Sequence, residues 1–103
     1  MNKIVAFFLF LAASSAYAAE PPKAYSLEEV AKHNQREDCW FVVNDKVYDV
    51  TKYIPKHGGG EKPILNNCGK EATKAFETKG GEGKHSAKAR SALEGMQIGV
   101  LKK

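Results

Sequence analysis

The sequence predicts a small α+β domain, with short helices stacked on a small mixed sheet. Three observations carry that prediction. First, two β-rich runs, Cys39–Val43 and Lys46–Val50, flank Asn44-Asp45, a two-residue hairpin signal. Second, their alternation puts Cys39, Phe41 and Val43 on one face and Trp40 and Val42 on the other. Both faces are apolar, so both need a cover, and two small cores are expected. Third, glycines and prolines divide the rest of the chain into pieces long enough only for short helices.

The elements follow in order. Lys3, the apolar run Ile4 to Ala13 and the Ala16-Tyr17-Ala18 cleavage pattern make residues 1–18 a secretory signal peptide. The run is too short for the roughly 20 apolar residues that span a bilayer, and no later stretch is longer. Residues 19–24 are expected to be a flexible leader, and one domain is expected over 25–103. Ser26-Leu27-Glu28-Glu29 is a capping box opening a helix to about His33. His33, at the helix end, is expected at the surface. After the hairpin, Thr51 is expected to cap a short helix ending before His57, and Gly58-Gly59-Gly60 forces a turn. Pro63 suits the first turn of the next helix and Gly69 the residue after its end. A helix from about Glu71 to Thr78 precedes the glycine-rich stretch 79–84. Ser86 caps a last helix to about Glu94, and Ile98 to Leu101 is a closing strand.

Cleavage after Ala18 leaves 85 of the 103 residues, a size at which a core is marginal and a cofactor or crosslink is worth seeking. Loss of Lys3 lowers the net charge from +4 to +3. The basic residues form no stripe interleaved with aromatics, which argues against nucleic-acid binding. Mild basicity favours encounter with an acidic or anionic surface. Cys39 and Cys68, in an exported chain, read first as a disulfide; two free thiols, one or both buried, are the alternative. Neither C-x-x-C nor C-x-x-C-H occurs, so thioredoxin-like chemistry and covalent haem attachment are excluded. The cysteine and histidine spacing fits no common zinc pattern. His57 and His85 each stand at a break between helices beside glycines, which permit close approach of a bulky ligand. On spacing alone, two surface loop residues are the favoured reading.

The wording around them adds more. Trp40-Phe41-Val42-Val43, Val47-Tyr48-Asp49-Val50-Thr51-Lys52-Tyr53 and His57-Gly58-Gly59-Gly60-Glu61 resemble the signature of the cytochrome b5 family. Gly69-Lys70-Glu71-Ala72-Thr73-Lys74-Ala75-Phe76 resembles its G-x-D-A-T-x-x-F helix, and His85-Ser86-Ala87-Lys88-Ala89-Arg90 its H-S-x-x-A-R segment. The resemblance runs from Tyr25 to Leu101. It implies the cytochrome b5-like fold and one non-covalent haem b (protoporphyrin IX iron) per chain, with His57 and His85 as axial ligands. By position, Phe41, Val43, Val50, Tyr53, Ile54, Ile64, Phe76 and Ala89 would line the haem pocket, and Ser86 would lie near a propionate. Cys39 and Cys68 would flank the pocket, where a disulfide would tie the sheet to the helix after His57.

The implied function is one-electron transfer between redox partner proteins outside the cytoplasm, in a bacterial periplasm or as a secreted protein. A carrier of this kind has no catalytic site, no nucleic-acid partner and no membrane span after signal removal, and is expected to be a monomer. Two protein ligands leave iron no open position, which suits electron transfer better than oxygen chemistry. The chain departs from the family pattern in Gly58, where proline is usual, and in a longer loop before His85. Lys79, Lys84 and Lys88 are then expected near the haem edge, which puts the acidic docking surface of microsomal relatives in doubt. A pure binding module for haem or a sterol-like ligand is the alternative from another class. A domain feeding electrons to an enzyme on the same chain is a third, for which 85 residues leave no room.

Overall fold

Hydrophobic alternation on strands and short capped helices produce a five-stranded sheet flanked by helices. The computed structural model describes residues 21–78 and 86–103. Residues 1–20, which hold the expected signal peptide and the start of the expected leader, and residues 79–85, which include His85, lie outside the described residues.

The strands are β1 (Ala24–Tyr25), β2 (Asn34–Gln35), β3 (Asp38–Val43), β4 (Lys46–Asp49) and β5 (Gln97–Leu101), in the sheet order β1-β5-β4-β3-β2. The β1–β5 pair is parallel and the others antiparallel, so the sheet is mixed. The helices are α1 (Leu27–Ala31), a 3-10 helix (Thr51–Lys56), α2 (Lys62–Leu65), α3 (Thr73–Thr78) and α4 (Ala87–Glu94).

Asn44 and Asp45 both have positive φ, 51° and 65°, the geometry a tight hairpin turn between twisted strands requires. Pairing of Val43 with Lys46 and Phe41 with Tyr48 fixes the register. It delivers Cys39, Phe41, Val43 and Tyr48 to one core, with Val50, Ile54, Ile64, Cys68, Ala72 and Leu93. Val42 and Val47 go to the other with Val30, covered by Tyr25, Trp40, Ile98 and Leu101. Burial in the first core also pushes the Tyr48 hydroxyl pKa up, with Glu94 adding to the shift.

The capping box forms: Glu29 N–H donates to Ser26 Oγ at 3.0 Å and Ser26 N–H to Glu29 Oε1 at 2.9 Å. Ser26 therefore holds the Glu29 carboxyl below its ordinary range. Ser86 caps α4 by accepting from Ala89 N–H at 3.1 Å.

Three expectations need correction. Ala24, assigned to the leader, is in β1, because the Lys23 carbonyl accepts from Val100 N–H and the Tyr25 carbonyl from Lys102 N–H. Thr51 is the first residue of its helix rather than the cap; its amide and hydroxyl donate to Asp49 Oδ1 at 3.1 and 2.7 Å. The third helix begins at Thr73, since the Glu71 carboxylate accepts from the Thr73 amide at 3.0 Å and hydroxyl at 2.5 Å.

Candidate functional site

His57 follows directly on the 3-10 helix, whose end sets its position. Its backbone is extended (φ −69°, ψ 123°), so the chain leaves the helix axis there. The next three residues are glycines, and Gly60 takes φ +93°, a dihedral L side chains rarely adopt. That turn brings the Gly60 carbonyl to 2.6 Å from His57 Nδ1, while Gly60 N–H donates to the His57 carbonyl at 3.1 Å. A carbonyl only accepts, so Nδ1 carries the hydrogen. In the neutral ring the lone pair is then on Nε2, the form that can ligate a metal. Gly59 leaves room for the ring: a Cβ there would stand 3.1 Å from His57 Cε1. Tyr53 meets the imidazole edge-on at a centroid distance of 5.9 Å.

His57 stands in the wall of a cavity of about 750 Å³, a size typical of cofactor sites. The sheet side supplies Phe41 and Val50, and the 3-10 helix supplies Tyr53. The segment through α2 supplies Pro63, Ile64, Asn66 and Asn67; the α3 segment supplies Ala72, Ala75 and Phe76. Ser86, Ala89 and Leu93 come from the α4 segment, and Met96 closes the wall before β5. Ser86, Gly58, Gly59, Pro63 and Asn66 are exposed and form the rim; Val50, Ala72 and Leu93 are buried and form the floor.

Of the nine pocket residues expected from the sequence, Phe41, Val50, Tyr53, Ile64, Phe76, Ser86 and Ala89 line this cavity. Val43 and Ile54 do not: both are buried in the same core, behind the wall. Alternation assigns a residue to a face but not to a depth. Pro63, Asn66, Asn67, Ala72, Ala75, Leu93 and Met96 line the cavity without having been expected there. For Ala72 and Ala75 a signal existed, since both lie within four residues of Phe76, Ala75 inside α3 and Ala72 just before it. His85, the other expected ligand, falls outside the described residues; its chain neighbour Ser86 is on the rim. His33 is away from the cavity, half-buried, stacked on Trp40 at 3.5 Å between centroids, with Nδ1 2.8 Å from both Asp38 carboxylate oxygens.

Two arginines bind carboxylates beside the site. Arg36 Nε and Nη2 donate to Glu61 Oε1 and Oε2 at 3.0 and 2.9 Å, and hold the Glu61 carboxyl below its ordinary range. Arg90 of α4 bonds Glu77 of α3 and lies over the Phe76 ring, 5.4 Å from its centroid. Cys39 and Cys68 flank the cavity core with sulfurs at bonding distance, 2.07 Å, and Cα atoms 4.8 Å apart, well inside the limit for a disulfide.

The cavity fits a flat apolar macrocycle that carries its own metal. Its wall is apolar apart from a few groups near the opening, and one imidazole presents an unprotonated nitrogen. The comparisons agree. The family described as "Cytochrome b5-like Heme/Steroid binding domain" matches residues 26–102. Cytochrome b5 of Oryza sativa is 44% identical over 79 residues, covering 77% of this chain and 55% of that protein. The chain thus spans little more than half the length of such relatives. A nitrate reductase of Phaseolus vulgaris is 43% identical over 88 residues, which are 9% of its length. Among solved structures, Ectothiorhodospira vacuolata cytochrome b558, a prokaryotic homologue of cytochrome b5, is 41% identical with a TM-score of 0.75, covering 78% of this chain and 99% of that one. Cytochrome b5 of Ostreococcus tauri virus 2 is 40% identical with a TM-score of 0.65, covering 76% and 95%. The chain belongs to the cytochrome b5-like haem/steroid-binding domain family, and as a cytochrome b5-type domain it binds b-type haem.

Proposed function

We propose that this chain is a one-electron carrier that works outside the cytoplasm, holding one haem b through His57 and His85. The observation that carries the reading is His57 itself: an imidazole in an apolar cavity wall, its tautomer fixed by the Gly60 carbonyl. Haem, when bound, supplies an iron that cycles between ferrous and ferric states.

The chain's own residues do the rest. Gly59 and Gly60 hold the imidazole in one orientation, so little rearrangement accompanies a change of charge at the site. Phe41, Ile64, Phe76 and Leu93 exclude water and lower the local polarity, one lever on potential. The Ser86 hydroxyl accepts from Ala89 N–H and keeps its own hydrogen to donate to a carboxylate at the rim. Export is supported by the signal pattern in residues 1–18. Two cysteines at bonding distance also suit an oxidising compartment, and we assign them a disulfide there.

Oxidised and reduced absorption spectra of the wild type, His57→Ala, His85→Ala and Met96→Leu test the reading. Low-spin bands in the wild type and Met96→Leu, lost or turned high-spin in both histidine variants, are expected. A spectrum indifferent to His85 would remove it as ligand. Failure to take up haem at all would bring forward the family's other ligand class, a steroid.

A further inference from the structure

The two helical walls of the cavity are tied to the sheet in different ways. The segment after α2 is fixed to β3 by the main chain. Gly69 N–H donates to the Trp40 carbonyl, Val42 N–H to the Lys70 carbonyl at 3.0 Å, and Ala72 N–H to the Val42 carbonyl at 2.6 Å. Cys68 stands at bonding distance from Cys39, and Arg36 grips Glu61 just before α2. Among the described residues, no backbone hydrogen bond joins α3 or α4 to the sheet. Side chains tie that wall, and they converge on Glu77. Its Oε2 accepts from Asn44 Nδ2 of the hairpin turn at 3.3 Å, and its Oε1 accepts from Arg90 Nη2 of α4. The same guanidinium lies over Phe76, which lines the cavity. The Asn44 amide donates to Thr73 Oγ1 at 2.8 Å, where α3 begins. The main chain anchors this wall only at its far ends: Ala72, before α3, through Val42, and Met96, after α4, whose carbonyl accepts from Asp49 N–H at 3.0 Å.

We propose that Glu77 is the latch of the cavity, a positioning residue that keeps the α3–α4 wall shut on the cofactor and sets how long haem stays bound. The proposal rests on haem as the occupant. A disc enclosed between two walls leaves only when one of them moves. The wall held by side chains opens locally, at a lower cost than unfolding of the whole domain, while the wall bonded along β3 stays in place. One carboxylate serves the turn, α3 and α4 together, so its contacts act as a unit and their losses do not add. Both side chains of the Arg90–Glu77 pair are partly exposed, which keeps its strength modest.

The test follows haem transfer from the loaded protein to excess apomyoglobin through the Soret band. Glu77→Gln, Arg90→Gln and Asn44→Gly should each speed haem loss about two- to fivefold. Glycine suits the positive φ of residue 44 and keeps its amide donor, so Asn44→Gly removes the side-chain bond and spares the turn. The double variant Glu77→Gln/Arg90→Gln should lose haem no faster than the faster single one, and Arg90→Lys should retain haem better than Arg90→Gln. Lys103→Gln removes the Lys103–Asp45 pair at the other residue of the same turn and should leave the rate unchanged. Amide hydrogen exchange in the loaded fast variants should accelerate in α3 and α4 and stay unchanged in β3 and β4. Unchanged haem loss in both Glu77→Gln and Asn44→Gly would overturn the proposal. Equal acceleration of exchange in every element would overturn it too, making Glu77 a general stabiliser. A wild type that takes up no haem would instead defeat the reading of the occupant.

Discussion

At His57, the three successive glycines are not equivalent. Gly60 supplies a positive φ, Gly59 supplies room for the imidazole, and at Gly58 a Cβ would meet nothing within 4 Å. Gly58 N–H makes no backbone hydrogen bond among those described, and His57 already has the extended backbone that a following proline demands. Gly58→Pro should therefore stabilise the domain by roughly 0.4–1 kcal/mol, through a less flexible unfolded chain. Urea denaturation would show this as a higher midpoint at unchanged slope. Gly59→Ala should act differently, displacing the imidazole and shifting the haem absorption bands more than the midpoint. The histidine was legible in the sequence because its glycine-rich neighbourhood is distinctive. Met96 was not, because nothing in a local window separates a cavity-lining methionine from an ordinary core one.

Among elements, the bidentate Arg36–Glu61 pair joins the β2–β3 turn to the segment between His57 and α2. The Glu61 carboxyl is held below its ordinary value of 4.5, first by the Arg36 hydrogen bonds. Its folded pKa is depressed, so the pair's contribution is present above 4.5 and lost as pH falls through the lowered value. Arg36→Gln should lower the denaturation midpoint at neutral pH, and the gap from wild type should close in acid. An unchanged gap down to about pH 3 would assign the effect to packing instead of charge. The Cys39–Cys68 pair, 29 residues apart, ties β3 to the segment after α2. Reduction should cost roughly 3–4 kcal/mol on the loop-entropy account, read as a midpoint drop with dithiothreitol that Cys39→Ser does not show. Helix positions were largely legible from capping residues. Strands β1 and β2 were not, since two residues cannot display a period and both exist through partners distant in sequence. The same limit explains the two misplaced helix starts: the Asp49 and Glu71 carboxylates accept from the amides of Thr51 and Thr73, two residues further on, which pattern alone does not reveal.

Across the whole molecule, the sheet separates a core built around a cavity from one that closes on itself through Val30, Val42 and Val47. Emptying a cavity deprives its lining of packing partners on one side. Removal of haem should therefore loosen α3 and α4 while β3–β4 and α1 stay protected, which amide hydrogen exchange would resolve residue by residue. Uniform loss of protection would mean that the two cores unfold as one. This two-sidedness was readable from one strand, where both faces of Cys39–Val43 are apolar. The depth of the cavity was not, because it depends on helices packing from opposite sides.

The parallel pairing of Ala24 with Val100 and Tyr25 with Leu101 sets the beginning and end of the domain side by side at one edge of the sheet. Splicing such a unit into a surface loop of another protein forces that loop to bridge only a strand-to-strand gap of about 5 Å. The host's own fold is then hardly stretched, and the guest keeps its hydrogen-bonded edge. The domain has the geometry of a cassette, one whose redox chemistry could be moved between architectures by insertion as readily as by end-to-end fusion.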